Sequence, residues 1–127
     1  MEASQARQLI DSYLDAYNCF EVEGMLACLH PEVIFENIEE GVVTLRIEGK
    51  DAFESRAAET LEWFMERIQH VTAFQFQDDR AVADIWYSAM TAIELPNGVK
   101  PGTTFQLVGQ SIFTFRDGLI ASITDIS

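Results

Sequence analysis

The run Ala81–Leu95, AVADIWYSAMTAIEL, decides how this chain folds. Upstream of His70 the apolar residues recur at helical spacing, and after it they alternate, which is the period of a strand. Ile85, Tyr87 and Ala89 fall on one face of the run; Val82, Trp86 and Met90 fall on the other. Pro96-Asn97-Gly98 marks a turn at its end, and Thr103–Arg116 reads as a second long strand. Asp117-Gly118 is a two-residue hairpin signal leading into Leu119–Ile126, and Val71–Gln77 supplies a strand on the near side. The result is a meander of long antiparallel strands with apolar residues on both faces. One face can pack on helices. The other needs a partner, so the pattern predicts a homodimer through the sheet, with Trp86, Met90 and Asp84 on the shared surface.

Upstream, Ala6, Leu9, Ile10, Tyr13, Leu14 and Tyr17 form one helical stripe, with Ser4 as its cap. Val22, Met25, Leu26 and Leu29 predict a short second helix that His30-Pro31 ends. Val33–Asn37 and Thr44–Glu48 read as strands. A third helix is expected over Asp51–Ile68, with Phe53, Ala57, Leu61, Phe64, Met65 and Ile68 on its stripe and His70 at its C-terminal end. Helices first and hairpins later give an α+β domain over residues 1–127, an antiparallel sheet packed against three N-terminal helices.

Eight basic against 21 acidic residues leave a net charge of −13, which repels phosphate backbones and anionic lipids. Nucleic acid and membrane are therefore not expected partners, and no apolar run is long enough to span a bilayer. No signal-peptide pattern opens the chain, so a cytoplasmic location is expected. Cys19 and Cys28 read as buried, reduced residues rather than a disulfide. His30 and His70 are too isolated for a zinc site, and Glu36, Glu39 and Glu40 read as a solvated loop. No nucleophile elbow, phosphate loop or dinucleotide glycine pattern is present. Neither a metal nor a cofactor is expected.

Several spaced strings carry a family resemblance. They are Tyr13-Leu14-Asp15-Ala16-Tyr17-Asn18, Glu23-Gly24-Met25-Leu26-Ala27-Cys28-Leu29-His30-Pro31-Glu32-Val33, Gly49-Lys50-Asp51-Ala52-Phe53, and Phe113-Thr114-Phe115-Arg116-Asp117-Gly118-Leu119-Ile120. Together the chain resembles the SnoaL-like polyketide cyclase and ketosteroid isomerase branch of the nuclear transport factor 2-like superfamily. That resemblance implies a cone-shaped curved sheet enclosing an apolar pocket for a small ligand. It does not fix a function, because the fold hosts enzymes, carriers and interaction modules. Ketosteroid isomerases use a tyrosine, a protonated aspartic acid and a basic aspartate. By position these fall on Tyr13, Ser111 and Asn37, so only the tyrosine remains and steroid isomerisation is not expected.

Asp125 shares a strand face with Ile123, Ala121 and Leu119, and the resemblance turns that face toward the cavity. A carboxyl group in an apolar cavity has its charge disfavoured and becomes a proton carrier, whereas a solvated aspartate near the C-terminus does not. Asp125, Tyr13 and Asn37 are the candidate catalytic residues. Tyr17, Phe35, Tyr87, Ser111, Phe113 and Ile123 are the candidate ligand-binding residues. Two functions follow: a cofactor-independent isomerase, cyclase or lyase acting on a small apolar carbonyl compound, or a non-catalytic binding or dimeric interaction module.

Overall fold

The alternation after His70 becomes one highly curved sheet in the computed structural model, which describes residues 1–127. The elements run α1 (Ala3–Asn18), α2 (Val22–Leu26), β1 (Leu29–Glu39), β2 (Val42–Glu48), α3 (Lys50–Thr60), β3 (Phe64–Gln77), β4 (Arg80–Thr91), β5 (Thr104–Arg116) and β6 (Leu119–Ile126). The sheet order is β2-β1-β6-β5-β4-β3. Helices α1 and α3 cover its concave face, α1 against β3 and α3 against β1 and β2. This is the expected α+β cone.

The two-residue loops set the hairpins. Glu40-Gly41, Asp78-Asp79 and Asp117-Gly118 all have both residues at positive φ, the geometry whose twist matches paired strands. Breaks in register near Asn37/Ile38, Val71/Ala73 and Thr114/Phe115 add bulges, and bulges bend a sheet. On β4 the inward residues Ala81, Ala83, Ile85, Ala89 and Thr91 are buried. Phe113, Ile120 and Ile123 fill the narrow end of the cone, together with Ile10, Leu29 and Val33.

Several expectations are corrected. β6 lies parallel to β1, with Asn37 opposite Asp125, so the sheet is mixed rather than antiparallel throughout. β1 reaches β6 by a crossover through the rest of the chain, which no local turn signal reveals. The third helix stops at Thr60, and Phe64, Met65 and Ile68 belong to β3. Their helical spacing loses to a full ladder with β4 running from Phe64↔Thr91 to Gln77↔Arg80. His70 consequently sits mid-strand opposite Trp86, with no helix end to complement.

At the other end of the chain, α1 is capped by Glu2 rather than Ser4, and its N–H donates to the Gln5 side-chain oxygen at 3.0 Å. α2 ends at Leu26, while His30 and Pro31 lie inside β1, where the β1–β6 register breaks between Leu29 and Ile34. A proline fits there because the ladder requires no N–H from it. β4 ends at Thr91, short of Leu95. Both cysteines are free, but only Cys28 is buried; Cys19 caps the exposed end of α1.

Candidate functional site

The curvature shapes a cavity of about 530 Å³, open on one side, between the concave face, α1 and α3. A smaller lobe of about 220 Å³ shares Tyr17, Asn37, Gln69, Tyr87 and Asp125 with it and extends to Ser111. This is the size range of sites for small organic ligands.

Strand register explains how distant residues meet. Asn37 pairs with Asp125 across β1–β6, and Asp125 pairs with Ser111 across β6–β5. One row of the concave face therefore carries an amide, a carboxyl and a hydroxyl. The next row holds Phe35, Ile123 and Phe113. Phe113 and Ile123 lie in the packed core beneath the cavity rather than on its wall, whereas Phe35 reaches the wall. The far end of β5 is held close to β6 by Gly109: a Cβ there would lie 2.5 Å from the Ile126 carbonyl oxygen.

Asp125 is the decisive group. Burial pushes its carboxyl from 3.8 up to about 6, against the opposing hydrogen bond from Ser111 Oγ to Oδ1 at 2.6 Å. The side chain keeps some accessible surface and lines both the cavity and its smaller lobe. Nearby, Tyr13 is 4 % exposed, and its phenol is pushed far above its ordinary range, first by burial and then by the Asp125 charge. It therefore stays protonated and keeps an O–H to donate. The Tyr17 and Tyr87 hydroxyls lie 3.1 Å apart and share a hydrogen bond, and burial raises both phenols.

Asn37 reaches the wall with its amide already engaged. Nδ2 donates to Thr44 Oγ1 at 2.9 Å and to Glu39 Oε1 at 3.2 Å. Its remaining free function is the carbonyl oxygen, an acceptor. Phe53, from α3, completes the apolar wall, its ring 6.4 Å from Tyr13 and 6.1 Å from Phe35.

Sequence reasoning missed Arg67 and Gln69. Arg67 falls within the expected third helix and Gln69 just past its end; counted as strand, they alternate inward with Val71. Arg67 is 3 % exposed and lines the cavity. Its guanidinium carbon lies 3.8 Å from the Tyr17 ring centroid and 4.6 Å from that of Phe20. No group of three or more potential metal ligands is assembled anywhere in the fold. No helix is long and apolar enough to cross a membrane.

A cone-shaped sheet with N-terminal helices over a cavity of mixed apolar and polar lining is the form of a nuclear transport factor 2-like domain. Within that class, the family model for the SnoaL-like domain matches residues 10–123, and the chain belongs to this family. A candidate polyketide cyclase from Xanthomonas campestris pv. campestris superposes with a TM-score of 0.82 at 23% identity, covering 98% of this chain and 90% of its own. A second candidate polyketide cyclase, from Silicibacter sp. TM1040, gives 0.74 at 25% identity over 94% and 85%. An LEH-like epoxide hydrolase from M. tuberculosis gives 0.78 at 14% identity over 97% and 82%. No curated protein matches the chain in sequence.

Proposed function

We propose that the cavity binds a small, mainly apolar carbonyl compound and that Asp125 moves a proton on it, in an isomerisation, cyclisation or elimination that needs no cofactor. The observation that carries this is a carboxyl on the cavity wall that burial raises to about 6, near a phenol that burial keeps protonated. A base with that affinity is present in both protonation states near neutral pH, which suits proton transfer. Ser111 holds Oδ1 at 2.6 Å, leaving Oδ2 for substrate. As Oδ2 removes a proton beside the substrate carbonyl, charge moves onto the carbonyl oxygen, and Tyr13 or the Tyr17–Tyr87 pair would donate to it. Asn37 would serve as an acceptor for a ligand hydroxyl while its amide stays with Thr44 and Glu39. The family match and the polyketide cyclase likeness support this class of substrate. The outer face of the sheet, where Ile68 and Val108 are exposed beside Trp86, belongs to the same reading, as the interface of a homodimer.

The test does not require the natural substrate. Aryl and alkyl ketones that bind by ligand-detected NMR are incubated with the protein in D2O, and exchange of the hydrogens beside the carbonyl is followed. Exchange faster than buffer is expected, falling by about a hundredfold or more in Asp125→Asn. No isomerisation of a 5-ene-3-ketosteroid is expected, because Asn37 cannot act as a base. Ketones that bind without exchange would make the domain a binding module. Full exchange by Asp125→Asn would place the proton carrier elsewhere.

A further inference from the structure

Arg67 is the only Lys, Arg, Asp or Glu among the fully buried residues, and no carboxylate pairs with it. A buried charge without a counter-ion is strongly disfavoured unless something replaces its hydration. Part of that replacement is visible. The guanidinium stacks between the Tyr17 and Phe20 rings, and Nε donates to the Tyr17 carbonyl oxygen at 2.9 Å. That carbonyl lies in the last turn of α1, where the helix dipole favours a cation.

These contacts use Nε and the flat faces of the group. The N–H groups on the two Nη atoms have no acceptor in the protein. No buried side-chain nitrogen is sealed away without a partner, so these donors open onto the cavity that Arg67 lines. Docking of α1 onto β3 does not depend on them. Asn18 already clips that junction, accepting from Gln69 N at 2.8 Å and donating to Gln69 O at 3.2 Å.

The other charged groups on the wall are accounted for differently. Arg56 leans on Trp63 and lies 3.9 Å from Glu59; Glu39 accepts from Asn37; Asp125 accepts from Ser111. Asp125 and Arg67 stand on β6 and β3, three strands apart, which is about 14 Å along the sheet before its curl brings them closer.

We infer that the cavity's ligand is an organic carboxylate: an apolar body whose acidic group sits on the free Nη edge of Arg67. A carboxylate offers two oxygens to two parallel N–H donors, and a neutral carbonyl offers one. The net charge of −13 does not oppose this, because the surface charge is screened over about 8 Å while the buried contact is not. The inference rests on the reading that the cavity takes a small molecule, and it is independent of what Asp125 does there.

The experiment uses two probes with the same ring system, naphthoate and its neutral analogue acetylnaphthalene, measured by calorimetry near neutral pH. The wild-type protein should hold naphthoate about tenfold or more tighter. Arg67→Met should remove that preference while retaining acetylnaphthalene, and Arg67→Lys should keep part of it, since it has the charge without the fork. A purely structural arginine would change stability and weaken both probes alike.

Asp125→Asn removes a like charge from the same cavity and should keep or strengthen the naphthoate preference, so loss of proton transfer in that variant would leave the Arg67 result standing. Equal affinity of the wild type for both probes overturns the inference, as does a preference that survives Arg67→Met. Binding of neither probe by the wild type overturns it together with the small-molecule reading. If Arg67→Met does not fold, the wild-type pair and Arg67→Lys still decide: Lys must give a smaller preference than Arg.

Discussion

Asp125 links the site to stability through a single proton. Burial, only partly offset by the Ser111 hydrogen bond, raises its carboxyl from 3.8 in the unfolded chain to about 6 in the folded one. Between those values the folded protein holds a proton that the unfolded chain has released. Stability from this group is thus full below about 4 and falls as pH rises through about 6, by roughly 2 to 3 kcal/mol. Asparagine keeps an acceptor for Ser111 and carries no charge. Asp125→Asn should therefore unfold at a higher temperature than wild type at neutral pH, with the two converging toward pH 4. Calorimetric melting across that range checks it; parallel curves at all pH values would mean that Asp125 is hydrated in the folded state.

At the scale of elements, α3 is attached by little. Phe53 is its only fully buried side chain, and that ring meets Tyr13 of α1 and Phe35 of β1. The helix forms one wall of the cavity, so its attachment and the site share one aromatic cluster. Phe53→Ala should cost about 3 to 4 kcal/mol. Hydrogen exchange should show α3 amides losing protection while β4 and β5, in the middle of the ladder, keep theirs. Uniform loss across the sheet would instead make Phe53 part of the global core. The boundary between α3 and β3 teaches a related lesson. Phe64, Met65 and Ile68 satisfy a helical stripe on paper, yet the ladder with β4 takes them, and the same shift brings Arg67 inward.

For the molecule as a whole, the convex face is where the proposed homodimer would form. Across it His70, Trp86 and Val108 form one row, Val108 is 76 % exposed, and Ile68 lies close by. Light scattering should give twice the 14.3 kDa chain mass at micromolar concentration. Each copy carries −13, so added salt should tighten the pair by screening repulsion. Val108→Glu should split it while leaving the fold intact. A wild-type monomer at that concentration would refute the interface.

The sequence alone determined what is local or periodic. Alternation placed the strands, Asp117-Gly118 placed a hairpin, and the spacing of Ile10, Tyr13 and Tyr17 placed α1 with its inward face. The quoted strings also sufficed to recognise the family. Only the tertiary structure decided what depends on distant partners. The parallel pairing of β1 with β6 joins segments nearly ninety residues apart, and it alone sets Asn37 beside Asp125. The raised carboxyl of Asp125 comes from burial by the whole cone, and no spacing in the chain encodes it. Arg67 owes its inward position to the β3–β4 ladder, which overrides a helical pattern written into the same residues. Short-range preference selects elements; long-range pairing selects which of their residues face one another, and the site is made of those.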